Sequence, residues 1–226
     1  VGLRTFYGQS FLSDICELSL KMLPYTKRYF EELIQTGTIG EISPSDTWYE
    51  ERKSFGPDQV GTERIAHPDR GFELLQGSAV FSGKILGGCI DSMYDIWDGE
   101  RYADMPVLCE KYHLFPDRND WKGRILLLES SEEKPTPDTY RRALLYLKNA
   151  GVFDAVSGVL VGKPMDETYT EEYKKALIEI IDNPALSIVC NINIGHATPR
   201  CIIPFGVEAQ VDAERQVIRF LNDPDA

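Results

Sequence analysis

Hydrophobic and polar positions alternate along residues 186–194, LSIVCNINI. Leu186, Ile188, Cys190, Ile192 and Ile194 fall on one side of a strand, and Ser187, Val189, Asn191 and Asn193 on the other. One face of that strand is visibly polar. The run GRILLLES (123–130) is apolar up to Glu129, the pattern of a strand buried on both faces. SAVFSGKILGG (78–88) and AVSGVLVGKP (155–164) read as further strands, and VEAQV with QVIRF (207–211 and 216–220) as a closing hairpin. Between them the period lengthens. Thr136-Pro137-Asp138 supplies a cap, a first-turn proline and a first-turn acid, and predicts a helix whose Tyr140, Leu144 and Leu147 face the core. A second helix is predicted from Thr170 to about Ile181.

The first 37 residues predict two more helices, capped by Ser13 and Thr26 and separated at Leu23-Pro24. Ile15, Leu18 and Met22 share one apolar face, and Tyr29, Phe30, Leu33 and Ile34 the other. Gly37 closes the second. From about Glu41 to Gly77 Pro, Gly, Asp and charged residues dominate, as in a long linker or ordered loop. Strands alternating with helices after Gly77 predict an α/β fold.

Charge narrows the choice of partners. Lys and Arg number 24 against 36 Asp and Glu, a net charge of −12, which repels both a nucleic-acid backbone and an anionic membrane surface. No apolar run approaches the ~18 residues of a membrane span, and no signal segment opens the chain. Five cysteines, an odd number without metal-ligand spacing, signal neither a disulfide framework nor a zinc module. A reducing cytoplasm, with no metal or cofactor, is the expectation.

Glu129 and His196 both leave apolar runs at strand ends, where loops present reactive side chains on a rigid base. A carboxylate bonded to one imidazole nitrogen fixes the tautomer and stabilises the cation formed when the other nitrogen takes a proton. A terminal Glu is also commonly just the first solvated residue of its strand. His67 and His113 lie in charged, proline-containing loops and read as surface residues. Glu132, Glu133 and Asp138 read as a solvated acidic run rather than paired glycosidase carboxylates. Gly88, in LGGCID, permits a tight turn or close backbone approach to a ligand. Cys89 and Cys201 are conceivable thiol nucleophiles, though free cysteines are usually packing residues.

Taken together, FYGQSFLSD, LPYTKRYFEEL, SPSDTWYEE, GKILGGCIDSMYDI, GRILLLESSEEKPTPDTYRRAL, GVFDAVSGVLVGKP and NINIGHATPRCIIPFGV resemble the LD-carboxypeptidase family of serine peptidases, and within it the microcin C self-immunity branch. The resemblance implies a Ser-Glu-His triad with Glu129 and His196 as its last two members. It implies a swivelling β/β/α C-terminal domain at 77–226, a linker and substrate loop at 41–76, and at 1–40 the last strand and helices of a Rossmann-like nucleophile domain. The family's serine lies in a Gly-Tyr-Ser-Asp turn upstream of the block matching RTFYGQS, so it is expected before Val1, and the 226 residues alone are expected to be inactive. Ser13-Asp14 mimics that turn but falls in the later block. Trp48, Gly88 and Asn193 are the expected substrate contacts, Trp48 as a stacking platform for a planar group. The substrate implied is a small peptide or peptidyl-nucleotide such as processed microcin C, and the assembly a homodimer. The alternatives are an L,D-carboxypeptidase of muropeptide recycling and a catalytically inert binding or dimerisation domain.

Overall fold

The computed structural model describes residues 5–99 and 101–221. Its strands are β1 (Thr5–Tyr7), β2 (Glu41–Ile42), β3 (Thr47–Tyr49), β4 (Ala66–Pro68), β5 (Glu73–Gln76), β6 (Val80–Cys89), β7 (Ile125–Glu129), β8 (Gly158–Gly162), β9 (Ser187–Ile192), β10 (Ile203–Phe205), β11 (Glu208–Asp212) and β12 (Val217–Phe220). Its α-helices are α1 (Pro24–Thr36), α2 (Ile90–Asp98), α3 (Met105–Tyr112), α4 (Arg118–Trp121), α5 (Pro137–Asn149) and α6 (Thr170–Ile181). Eight strands form one mixed sheet in the order β2-β12-β11-β6-β7-β8-β9-β5. Its centre, β6 to β9, is parallel, and the flanking pairs are antiparallel. The protein is therefore mixed α/β, as the alternation of strand and helix predicts. Both edge strands, β2 and β5, come from the segment read as a linker.

β7 shows how the strand period aims the site. Leu126 and Leu128 enter one core with Tyr140, Leu144 and Leu147 of α5 and Leu177 of α6. Ile125 and Leu127 enter the other, with Tyr29 of α1 and Ile203 of β10. Because side chains alternate faces, Glu129 continues the row of Ile125 and Leu127, at the carboxyl end of the strand. α5 begins as predicted: Pro137 opens its first turn, and the Thr136 side chain accepts from the Thr139 amide. Leu144 and Leu147 are fully buried, so truncating either to Ala would cost about 2–5 kcal/mol.

Three expectations are corrected. The first predicted helix is only a π-helical turn at Phe11–Ile15, and neither Ser13 nor Thr26 is a cap: Ser13 lies inside that turn, and Thr26 lies within α1, which starts at Pro24 after Leu23. Its expected apolar face, Ile15, Leu18 and Met22, is only half-buried; the buried positions are the polar Asp14, Glu17 and Ser19, the first two paired with arginines. Ile34 is 69% exposed, while Tyr25, Tyr29 and Leu33 carry the contacts of α1. In β9 both faces are buried and the alternation breaks at Asn191, whose φ is 66°. Ile188 and Cys190 therefore pack in one core, and Ile192 and Ile194 in the other. Among the described residues no helix is long and apolar enough to cross a membrane.

Candidate active site

β7 and the loop after β9 bring Glu129 and His196 together, with His196 Nδ1 2.8 Å from Glu129 Oε2. The carboxylate can only accept, so Nδ1 carries a proton, and Nε2 serves as a base only when it is deprotonated and free of any other carboxylate. The Glu129 side chain has no exposed surface, whereas that of His196 is 34% exposed. Gly195 makes this approach feasible: its φ is +89°, and a Cβ there would lie 2.4 Å from Glu129 Oε2. The His196 loop is fastened on both sides. Arg200 Nη2 donates to the His196 carbonyl at 2.8 Å, and the Tyr49 amide donates to the Thr198 carbonyl at 2.9 Å.

The hydrogen bond to Glu129, reinforced by the charges of Glu129 and Glu132, outweighs burial and raises the His196 pKa above its ordinary value. Nε2 lies 3.0 Å from Glu132 Oε2, on a side chain that is 60% exposed. Sequence reasoning missed this contact. Glu132 reaches the imidazole while Glu133 and Asp138 stay exposed, and the available signal was its place just beyond the strand-ending Glu129.

His196 opens onto a cleft of about 620 Å³ lined by Ser13, Arg52, Lys53, Glu132, Lys134 and Arg200, among others. Ser13 shares this cleft but forms no hydrogen bond with the imidazole: its hydroxyl accepts from Arg200 Nη1 at 2.9 Å, and the same nitrogen donates to Asp14 at 2.6 Å. A second cavity of about 640 Å³, beside Tyr25, Arg28 and Arg215, contains no carboxylate–imidazole pair.

The expected substrate contacts divide. Trp48 is half-buried in β3 and stacks on His67 at 4.4 Å between centroids, with Lys163 Nζ 5.5 Å from its ring centre. His67, read as a surface loop residue, is thus a strand residue that also meets Glu50 Oε1 at 2.8 Å. Asn193 is 1% exposed and already committed, its amide accepting from the Ser45 N–H at 2.9 Å and donating to Asp69 at 3.1 Å. Gly88 pairs with Leu128 in the sheet and adjoins a ring, since a Cβ there would be 3.5 Å from Tyr7.

Cys89, Glu129 and His196 are, among the described residues, the one group with cation-ligating atoms all within 4.8 Å of one another. A cation there would have to replace the proton that Glu129 and His196 share and strip a thiol that burial and the Glu129 charge push up to about 12. The Cys190 and Cys201 thiols are likewise pushed up to about 12 by burial. All three are poor nucleophiles at neutral pH.

A buried carboxylate holding one imidazole nitrogen, with the other turned to a cleft, is the proton-handling arrangement of hydrolases that use an activated nucleophile. The chain belongs to the LD-carboxypeptidase family, whose C-terminal domain it matches over residues 82–211, and within it to the MccF branch. It superimposes over its whole length on the crystal structure of an MccF-like protein from Streptococcus pneumoniae in complex with AMP, with a TM-score of 0.96 and 60% identity, covering 65% of that chain. It is 24% identical, over 96% of its length, to the microcin C7 self-immunity protein MccF of Escherichia coli, of which it covers 59%. An MccF-like protein from Bacillus anthracis gives a TM-score of 0.73 at 25% identity, over 98% of this chain and 62% of that one. The chain spans about three fifths of the length of the curated relatives it matches.

Proposed function

We propose that this chain carries the acid–base half of a Ser-Glu-His amide hydrolase acting on an aminoacyl- or peptidyl-nucleotide. The attacking serine is supplied by sequence outside these 226 residues. The observation that carries the reading is the 2.8 Å contact between His196 Nδ1 and the wholly buried Glu129. In this mechanism His196 Nε2 takes the proton of the serine hydroxyl as its oxygen attacks the carbonyl, and Glu129 stabilises the imidazolium. The imidazolium then protonates the departing nitrogen, and water repeats the cycle on the acyl-enzyme. Glu132 must leave Nε2 first, which its exposure makes inexpensive. The AMP bound by the S. pneumoniae relative supports a nucleotide-bearing substrate.

The test is steady-state kinetics of the full-length gene product on an aminoacyl sulfamoyl adenosine and on a muropeptide tetrapeptide. Turnover of the first is expected, with kcat falling about 10⁴-fold in Glu129→Gln through loss of the correct tautomer. Retention of activity within tenfold would exclude the pair from catalysis, and turnover of the tetrapeptide alone would overturn the nucleotide assignment. Assayed alone, the 226 residues are expected to be silent. Turnover abolished by Ser13→Ala would instead make Ser13 the nucleophile.

A further inference from the structure

Glu129 has two oxygens and His196 engages one. The other, Oε1, accepts a 2.6 Å hydrogen bond from the Tyr7 hydroxyl. The Glu129 side chain is wholly buried, so a partner for Oε1 must come from the protein, and a carboxylate with one free oxygen could rotate to offer either to the imidazole.

We propose that Tyr7 is a positioning residue for the Glu129–His196 pair, its phenol holding Oε1 so that Oε2 alone faces Nδ1 in a single carboxylate orientation. The inference rests on the proposed role of that pair.

Tyr7 is itself held from two directions. β1 pairs antiparallel with β10, placing Tyr7 opposite Ile203, and its ring stacks on Phe205 at 5.6 Å with planes 13° apart. The ring lies against Gly88, where an added Cβ would be in ordinary contact with it at 3.5 Å. β10 starts seven residues after His196, so the chain that presents the imidazole also carries the strand that fixes the phenol. Burial first, then the charge and hydrogen bond of Glu129, raise the Tyr7 pKa far above its ordinary value. The hydroxyl is therefore a permanent donor, not a base. The other charged or titratable groups around the pair are Cys89 at the end of β6, with Asp91 beyond it on α2, Glu132 after β7, and Arg200 after the His196 loop.

Tyr7→Phe keeps the ring, its stack and its contact at Gly88 and removes only the donor. Glu129 then holds its charge undiluted against the imidazole, and the His196 pKa should rise by about 0.5–1 unit. NMR titration of the full-length protein, followed on the His196 resonance, reads this directly, with Glu129→Gln as the comparator that lowers the same pKa. In the full-length enzyme Tyr7→Phe should lower kcat about 10–100-fold with little change in KM. An unmoved His196 titration in Tyr7→Phe, with Glu129→Gln lowering it, overturns the role of Tyr7 and leaves the pair intact. A titration that Glu129→Gln does not lower overturns the pair itself.

Discussion

Among the described residues two glutamates, Glu17 and Glu129, are almost fully buried, and they are held in opposite ways. Glu17 lies between two guanidinium groups: Arg64 Nε donates to it at 2.8 Å and Arg52 Nε at 2.9 Å, and both arginine side chains are at most 3% exposed. Glu129 has no arginine on its oxygens, only a phenol and an imidazole. Burial raises the Glu17 pKa, but the hydrogen bonds from Arg52 and Arg64 outweigh it and hold the carboxyl below its ordinary value. An arginine cannot give up its proton in the working pH range, so the Glu17 cluster is a fixed joint between the first segment and the loop before β4. A histidine can, so the same kind of buried carboxylate becomes part of a proton-transfer device when its partner is imidazole.

The largest way to break this comparison is Glu17→Gln, which leaves two buried guanidinium groups short of their counter-charge. A stability loss of about 3–5 kcal/mol is expected in urea denaturation. A loss under 1 kcal/mol would show that the arginines' other partners suffice, namely Glu51 Oε1 3.1 Å from Arg64 and the carbonyls of Glu50 and Thr62, which accept from Arg64 and Arg52 at 3.2 and 2.7 Å. Gly195→Ala tests the other glutamate by geometry alone, because the new Cβ would collide with Glu129 Oε2 at a left-handed backbone position. It should cost about 1–3 kcal/mol and lower the His196 pKa as the carboxylate is displaced. An unchanged titration would mean that the loop yields without disturbing the pair.

The smallest expected effect sharpens the contrast by pH. In Glu132→Gln the His196 pKa should fall modestly, since Glu132 ranks behind Glu129 among the causes of its rise, and the acid limb of kcat/KM in the full-length enzyme should move to lower pH. A limb that stays in place would show that the Glu132 contact is absent in solution. The two clusters also act on stability in opposite directions. His196 has a raised folded pKa, so its contribution is complete below the ordinary histidine value near 6.5 and is lost as pH rises through the folded value. Glu17 has a depressed one, so its contribution is complete above the ordinary carboxylate range and is lost as pH falls through the folded value.

Local pattern determined much of this protein. The Ile-Leu-Leu-Leu run of β7 ending in Glu129, the Thr136-Pro137-Asp138 start of α5, the hairpin of β11 and β12, and the place of His196 just beyond an apolar strand are all readable in the chain, because strand alternation, helix capping and apolar runs act over a few residues. The family resemblance then selected Glu129 and His196 from several candidate acids and histidines. Tertiary structure decided what depends on residues distant in sequence. Tyr7 meets Glu129 across 122 positions and Arg200 meets Asp14 across 186, and no periodicity encodes such contacts. For the same reason the stretch around Ser13 imitates a capped amphipathic helix in sequence yet folds as a short turn. The apolar face expected there, Ile15, Leu18 and Met22, is only half-buried, and the buried Asp14 and Glu17 are held by arginines that come from elsewhere in the fold.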